Sequence, residues 1–593
     1  MKMFVAIDGE ADNNGNYIVM CDSTGRTLYR PQGICSFDAL NFILTVPGKP
    51  DVVCYGLNYD VNQWIKDFSR AELESLASDG HRTTYRNMYK LEWIPSKMFT
   101  VTVPGRTVVV CEVFGFFQTS FVKALQAWGI EPPAEIETMK QKRGTFTPAE
   151  LDRVVSYCLQ ECKLLVQVME RLREACVQAD CVPRRYIGAG SIASALMRRN
   201  GIKQHHAHDV DIFTKDQVND YVLRSYFGGR VELHKQGWSQ NVVSADIRSA
   251  YPAAATLLPS LTQDVEVTHV RSYLSTEKFA LWRVSWRDIG NGVSPFPVRL
   301  PKGDICYPAN GSGVYHAAEV KAAIDCGYDV TVHDGVILRA SDAKPFDWIP
   351  DVYRLRARYK AQGSFAEKAL KLGLNSVYGK TAQGYGFGRK PPYQSYFWAG
   401  FITSYTRAKV LRMLNDCGAL PIMVATDGIV LDAPEPFNMV SGDNLGDWEI
   451  DTYDQIGTIQ PGVYVGDSAG DTFVKSRGFF ARDVDYADLI QQFYADKFGS
   501  YHYKSRRFIG LKVALHRKDF SVWRTWPNEQ RSIAFEVKNK NRVENPDGTV
   551  TLLPISGPYD SLPYEPKQSL YDDPTDYTLE NMVRDDQPHR EVD

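Results

Sequence analysis

The sequence predicts a multidomain chain of mixed α/β and α+β class, organised around two separate sets of carboxylates. Three observations carry this. The run Phe4-Val5-Ala6-Ile7 leads into Asp8 and Glu10 and opens a region, to about residue 185, that alternates strand-like and helix-like stretches. Farther on, Asp246 follows the run Ser244-Ala245, and Asp427 lies between Ile422-Met423-Val424 and Ile429-Val430-Leu431. Finally, 593 residues, 44% of them hydrophobic, are enough for several cores.

The first strand places Asp8 and Glu10 two residues apart, so both carboxylates leave the same face and suit shared metal ions. Asp60 adds an acid after an aromatic in Cys54-Tyr55-Gly56-Leu57-Asn58-Tyr59-Asp60. Tyr157 and Glu161 stand four apart on a predicted helix and share one side of it.

At mid-chain, paired glycines in Ser225-Tyr226-Phe227-Gly228-Gly229-Arg230 allow close backbone approach to a phosphate, and Arg230 adds charge. A plain turn is the alternative. Thr426-Asp427-Gly428 between two β-branched or apolar runs is a hairpin signal with a carboxylate at its tip. Between Asp246 and Asp427, Lys371, Asn375 and Tyr378 fall at i, i+4 and i+7, one face of a single helix. Arg356 and Lys360, also four apart, lie on a helix upstream; the two helices together would form a basic cleft for a triphosphate. Two solvated helix faces are the alternative. Carboxylate, Lys/Asn/Tyr helix, carboxylate is an order that suits nucleotidyl transfer, in which two acids hold two metal ions across an in-line displacement at phosphorus.

These segments resemble motifs A, B and C of family B DNA polymerases. Motif A reads DIRSAYP from Asp246, motif B reads KLGLNSVYG from Lys371, and motif C reads ATD, with Ala425 where the family has its first Asp. The resemblance implies metal ligation by Asp246 and Asp427. It also implies triphosphate binding by Arg356, Lys360 and Lys371, a nascent base pair lined by Asn375 and Tyr378, and Tyr251 as the ring that excludes a 2′-hydroxyl. The N-terminal acids resemble the Exo I, II and III motifs of DEDD-type 3′→5′ exonucleases. This implies metal ligands at Asp8, Glu10, Asp60 and Glu161, and a water-orienting Tyr157. Glu161 stands where that family has Asp, and Gly56 where it has Asn. Ser120-Phe121 resembles its single-strand-binding Ser/Thr-Leu pair, and Tyr226, Gly228 and Gly229 match the YxGG junction. Tyr464 matches the second half of the primer-contacting KxY motif; Gly462 takes the Lys position, and Lys475 or Arg477 would supply the lost charge. The likeness runs from about residue 4 to about residue 480.

The net charge of −3 is uninformative for a DNA-binding chain, but its distribution is not. Between Lys497 and Arg542 about a dozen Lys/Arg face about three acids, interleaved with Phe508, Trp523, Trp526 and Phe535, which suits contact with a phosphate backbone. After Lys567 the balance turns acidic, as expected of a disordered tail. Scattered cysteines, no leader-like N-terminus and no long apolar run predict a cytoplasmic protein. Gly379-Lys380-Thr381 is not a P-loop, because Leu374 occupies the required glycine position. His205, His206 and His208 read as a polar loop, and the cysteines lack zinc-type CxxC pairs.

The resulting expectation is a ribonuclease H-like exonuclease domain (1–185), a connector (186–235), a right-hand palm (236–345 and 386–479) with fingers (346–385), a thumb (480–566) and an acidic tail (567–593). The implied activity is DNA-directed DNA synthesis with 3′→5′ proofreading in viral or mobile-element replication. Mg²⁺, or Mn²⁺, serves both sites as pairs of ions. The implied partners are primer–template DNA and dNTPs, with a helicase, single-strand-binding protein or clamp as accessories. An exonuclease or DNA-binding protein with a weakened polymerase site is the alternative. Protein-primed relatives carry two palm insertions, and the second aids strand displacement. Between Asn375 and Asp427 only about 50 residues are present, with Ala382–Gly388 as the loop-like material. Weak unaided strand displacement and ordinary extension of a nucleic-acid primer are therefore expected.

Overall fold

The computed structural model describes residues 2–77, 83–86, 88–142, 146–202, 216–261, 265–339, 343–384, 391–417, 421–432, 441–468, 471–536, 542–544, 550–554 and 560–566. The histidines at 205–208 and the acidic tail lie outside the described residues.

The N-terminal part is an eight-stranded mixed sheet. Its central strand, Phe4–Ala11, runs parallel to Asp51–Cys54, which runs parallel to Arg106–Glu112. The two-residue period shows in the packing. Phe4 and Ala6 join the core beneath the long helix Leu151–Gln178, whereas Val5 and Ile7 join the opposite core with Leu57 and Trp64. A strand covered on both faces reads as a continuous apolar run, as this one does.

A seven-stranded antiparallel sheet follows. Its central strand, Gly237–Ile247, pairs with Gly428–Asp432 on one side and with Trp448–Gln460 on the other. The predicted hairpin is present as Pro421–Thr426 and Gly428–Asp432. The interval before motif B folds as a separate four-stranded antiparallel sheet carrying the helix Ala317–Asp325. Helices Ile349–Ala361 and Ala366–Asn375 form a pair, and the 21-residue helix Tyr396–Asp416 returns the chain to the sheet.

One expectation needs correction. The motif B helix is not continuous: it ends at Asn375, Ser376 takes φ −94° and ψ −1°, and a second short helix covers Val377–Thr381. Asn and Ser are weak helix formers because their side chains compete for backbone groups, and here they sit together. Tyr378 is therefore redirected and does not share a straight helical face with Lys371 and Asn375. Of the loop at 382–388, residues 385–388 lie outside the described residues.

Beyond residue 480, a helix (Tyr486–Ala495) and a two-stranded sheet (Ser500–Arg506 with Asn528–Ala534) pack on the far end of the seven-stranded sheet. The helix Leu511–His516 instead docks on the N-terminal part, where Leu511 enters the core beside Trp64. All eleven cysteines are free thiols. No described helix is long and apolar enough to cross a membrane.

Candidate active sites

In the N-terminal part, Asp8, Glu10 and Glu161 each bring a carboxylate oxygen within 4.8 Å of the others. Asp8 and Glu10 come from one face of the central strand, and Glu161 comes from the helix packed against it. Three acids so close cannot all ionise freely. Burial, then neighbours including Glu161 and Glu10, hold the Asp8 carboxyl well above the ordinary carboxylate range. A cluster of hard oxygen donors of this kind fits a divalent ion such as Mg²⁺ or Mn²⁺.

Asp60 stands apart from that trio but close enough for its charge to contribute to the Asp8 shift. Tyr17 Oη donates to Asp60 Oδ1 at 2.7 Å, and Cys54 Sγ approaches Oδ2 at 3.5 Å. Tyr17 also explains Gly9, because a Cβ there would lie 1.8 Å from the Tyr17 hydroxyl. Tyr157 stands one turn before Glu161 on one helix, as predicted, and is buried.

Besides Tyr17, sequence reasoning missed two residues at this site. Glu112, buried, accepts hydrogen bonds from the amides of Gly56 (3.1 Å) and Leu57 (2.6 Å), fixing the start of the helix that carries Asp60. Gly56 has φ +87°, a left-handed conformation open to Gly and, less readily, Asn. That accounts for Gly where the exonuclease pattern has Asn. Lys140 Nζ lies 2.6 Å from Glu161 Oε1 and over the Phe121 ring at 5.1 Å. The longer Glu side chain makes that reach natural. Ser120 caps the helix Phe121–Ala127, its Oγ accepting from the Lys123 amide, and Phe121 is buried against Tyr55.

In the seven-stranded sheet, Asp246 lies directly opposite Gly428 on one neighbour and Glu449 on the other. A Cβ at position 428 would sit 2.0 Å from Asp246 Oδ1, so Gly428 makes room for that carboxylate. Asp427 occupies the turn, and its backbone carbonyl accepts from the Ile247 amide at 3.1 Å. The two acids thereby share one end of adjacent strands. Thr426 adopts φ +66°, rare for a β-branched residue. Burial first, and the Asp246 charge second, push the Asp427 carboxyl up to about 6. Two facing acids are again a hard, divalent-ion donor set.

Ala425 lies in the same row as Asp246, two strands away. Glu449 shares the row, and Arg248 NH1 holds it at 3.1 Å while the same guanidinium contacts Asp443. Nothing in the local sequence around Glu449 marks it, because only strand register brings it to Asp246.

Tyr251 packs against Tyr378 with ring centroids 4.6 Å apart, and the Tyr378 hydroxyl is 3.2 Å from that of Tyr226. Gly229 sits under this group: a Cβ there would lie 2.9 Å from the Tyr251 hydroxyl and 2.6 Å from Thr426 Cγ2. Gly228 faces open space. Arg407, unmarked by any motif, fixes the segment by donating to the Phe227 carbonyl at 2.9 Å while pairing with Glu319 at 2.7 Å.

Two expected phosphate ligands are placed differently. Arg230 is buried inside the sheet, paired with Glu232, donating to the Ser294 carbonyl and lying over the Tyr307 ring, so it adds no charge to the glycine pair. Arg356 lies in the seam of its helix pair, with Nε 2.8 Å from Glu367 Oε1. Lys360 and Asn375 are exposed and Lys371 is half-buried. Tyr464 and Lys475 stand opposite each other across a hairpin, and Arg477 packs on Gly462, whose φ of +82° explains the absence of Lys there.

The fold and the two carboxylate sets define a class: a ribonuclease H-like α/β unit followed by a right-hand polymerase fold. The structure of Phi29 DNA polymerase complexed with primer-template DNA and incoming nucleotide substrates matches with a TM-score of 0.62 and 15% identity, covering 90% of this chain and 100% of that one. An orthorhombic crystal form of Phi29 DNA polymerase matches at a TM-score of 0.60 and 14% identity, covering 82% and 95%. The family model for DNA polymerase type B, organellar and viral, matches residues 134–389. The primer-independent DNA polymerase PolB of Escherichia coli is 30% identical over 258 residues, 37% of this chain and 29% of the relative. A DNA polymerase of Acidianus bottle-shaped virus is 31% identical over 133 residues, 22% and 19% of the two chains. The chain thus spans under a third of the length of both curated relatives. Over residues 134–389 the chain is thus similar to the family B DNA polymerases of the organellar and viral type.

Proposed function

We propose that the protein is a DNA-directed DNA polymerase with a 3′→5′ proofreading exonuclease, acting in viral or mobile-element replication. The observation that carries the reading is the juxtaposition of Asp246, near the end of its strand, and Asp427, in the turn of the neighbouring hairpin, with Tyr251, Gly229 and the motif B segment gathered beside them. Asp246 and Asp427 would hold two Mg²⁺ ions. Bound there, the ions would neutralise charge at the α-phosphate and lower the pKa of the primer 3′-hydroxyl. Lys360 and Lys371 would bind the triphosphate of the incoming dNTP, and Asn375 and Tyr378 would line the new base pair. The ring of Tyr251, held against Tyr378, would fill the space a 2′-hydroxyl needs. Tyr464 with Lys475 and Arg477 would contact the primer strand, and Tyr226, Gly228 and Gly229 the template near the junction. Helicase, single-strand-binding protein or clamp would be accessory partners.

At the other site Asp8, Glu10 and Glu161, with Asp60 beside them, would hold the ions that activate a water for phosphodiester hydrolysis. Tyr157 would orient that water. Ser120 and Phe121 would border the path of the single strand.

Extension and degradation of a labelled primer–template, with and without dNTPs, test the reading. Asp246→Asn is expected to abolish extension and spare degradation, and Asp8→Ala with Glu10→Ala the reverse. Parental extension by Asp246→Asn would remove the assignment. A start without any primer is a second reading, favoured by the name of the PolB relative. It is tested by supplying a template with dNTPs and no primer.

A further inference from the structure

Residues 560–566 return from the C-terminal region to the elements around the YxGG junction. Asp560 bridges to Ser312, on the strand Asn310–His316, and the Ser561 amide donates to the Ser312 carbonyl at 2.9 Å. The Arg299 amide donates to Ser561 Oγ at 3.0 Å, the Leu562 amide to the Arg299 carbonyl at 3.2 Å and the Tyr564 amide to the Leu223 carbonyl at 2.9 Å. Pro563 has no amide proton, so every backbone donor from Ser561 to Tyr564 is satisfied by another element. Arg224 adds a guanidinium, with NH1 2.9 Å from the Ser561 carbonyl oxygen and 3.3 Å from Asp560 Oδ2. Ser561 is fully buried, and a Cβ at Gly313 would lie 3.0 Å from the Ser561 Cβ. The seat is shaped for this segment: Gly313 leaves room for it, and separate elements supply its partners.

The seat delivers one ring. Tyr564 meets Tyr226 edge-on, with ring centroids 4.8 Å apart, and Tyr396 at 5.4 Å. Arg299 lies over the Tyr564 ring at 5.3 Å and over Phe227 at 4.8 Å, and its NH2 donates to the Tyr226 carbonyl at 2.7 Å. Tyr226 is thus held through its ring and its backbone. Its hydroxyl meets that of Tyr378, whose ring packs on Tyr251. Four rings, Tyr564, Tyr226, Tyr378 and Tyr251, therefore run in contact from the terminal segment to a residue near enough to feel the charge of Asp427. Tyr378 needs such support. It sits on the five-residue helix after the break at Ser376, so no continuous helix fixes the direction of its side chain.

We propose that Tyr564 is a positioning residue for nucleotide choice: seated by residues 560–563, it fixes Tyr226, and through Tyr226 the Tyr378–Tyr251 pair that meets the incoming sugar. The proposal rests on the polymerase reading. Tyr564 acts only through other rings and takes no part in the chemistry. Without it, Tyr226 loses the edge that holds it, its hydroxyl leaves that of Tyr378, and Tyr251 gains freedom to give way to a 2′-hydroxyl. An edge-to-face aromatic contact is worth about fivefold in an equilibrium, beyond the area it buries.

The test is single-nucleotide extension by the full-length chain carrying Asp8→Ala and Glu10→Ala, so that degradation does not mask misincorporation. This chain is the parent, and kcat and KM are measured for one dNTP and for the matching ribonucleotide. Tyr564→Ala is expected to raise KM for the dNTP and to lower discrimination against the ribonucleotide, each by about fivefold, with kcat for the dNTP little changed. Tyr564→Phe keeps the ring and should keep parental values. Tyr226→Phe, which removes only the hydroxyl, should lower discrimination to the same extent as Tyr564→Ala. The two changes together should lower it no further than either alone, because both cut one path. Losses that multiply in the double variant overturn the proposal. So does a Tyr564→Ala chain that melts lower yet discriminates like the parent, which would mark the segment as a structural staple only. If Tyr564→Ala does not fold, Tyr564→Leu, which fills the seat without a flat ring edge, serves in its place with the same expectations. A parent that does not extend a primer with dNTPs overturns the polymerase reading as well. A parent that extends, with Tyr564→Ala discriminating normally, overturns this inference alone.

Discussion

Asp427 shows how a single residue carries both chemistry and strain. Its carboxyl is raised to about 6 by burial and by Asp246, so the charged form is disfavoured in the fold. The sign follows from the raised value: the contribution to stability is complete below the ordinary carboxylate pKa and is lost as pH rises through about 6. Asp427→Asn is therefore expected to raise metal-free stability at pH 8 by about 1–3 kcal/mol while abolishing extension. Thermal melting in chelator, beside an extension assay, reads both, and a lower melting temperature would contradict the assignment. Extension by the parental protein should fall as pH drops through about 6, because protons then compete with metal for the pair. Tyr251 carries a second expectation at this scale. Its ring is pinned by Tyr378, so Tyr251→Ala should raise ribonucleotide incorporation more than it lowers deoxynucleotide use. Unchanged discrimination in single-nucleotide kinetics would take Tyr251 out of that role.

At the scale of elements, the short helix Leu57–Trp64 is clamped at both ends. Glu112 holds its first amides, and near its end Asn62 Oδ1 accepts from the Leu511 amide and from Trp523 Nε1, each at 2.7 Å. Asn62→Leu would leave those two donors buried without an acceptor and is expected to cost about 2–4 kcal/mol. Because the same helix carries Asp60, degradation of single strands should weaken more than extension. Equal loss of both activities, with intact melting, would show that the clamp does not orient Asp60. How far the sequence could be read also shows at this scale. The Asp427 hairpin, the Asp8/Glu10 strand and the Tyr157/Glu161 helix were legible because each depends on a local period or turn. The break at Ser376 was hidden, because a Lys/Asn/Tyr spacing reads as one face whether or not the helix continues.

Across the whole molecule, the C-terminal segment bridges both units: it seats a two-stranded sheet on the seven-stranded sheet and sends Leu511 into the N-terminal core. Among the described residues, the span from motif B to motif C holds only the short helix Val377–Thr381, the helix Tyr396–Asp416 and the first strand of the hairpin. The purified chain is therefore expected to displace a downstream strand weakly and to extend an open primer normally. Long synthesis from a nick by the chain alone, measured by product length on a nicked circle, would contradict this.

The order of the acidic motifs, the mixed class and the basic stretch before the acidic tail were determined by the sequence alone, because they rest on short-range spacing and composition. Tertiary structure alone decided the rest. It turned Arg230 into the sheet and Arg356 into a helix seam, where carboxylates from elsewhere satisfy them. It brought Glu449 beside Asp246 by strand register and Lys140 to Glu161 by helix packing. The reason is physical. A local pattern fixes the face from which a side chain leaves its own element, but its partner is set by which other element packs there, often hundreds of residues away.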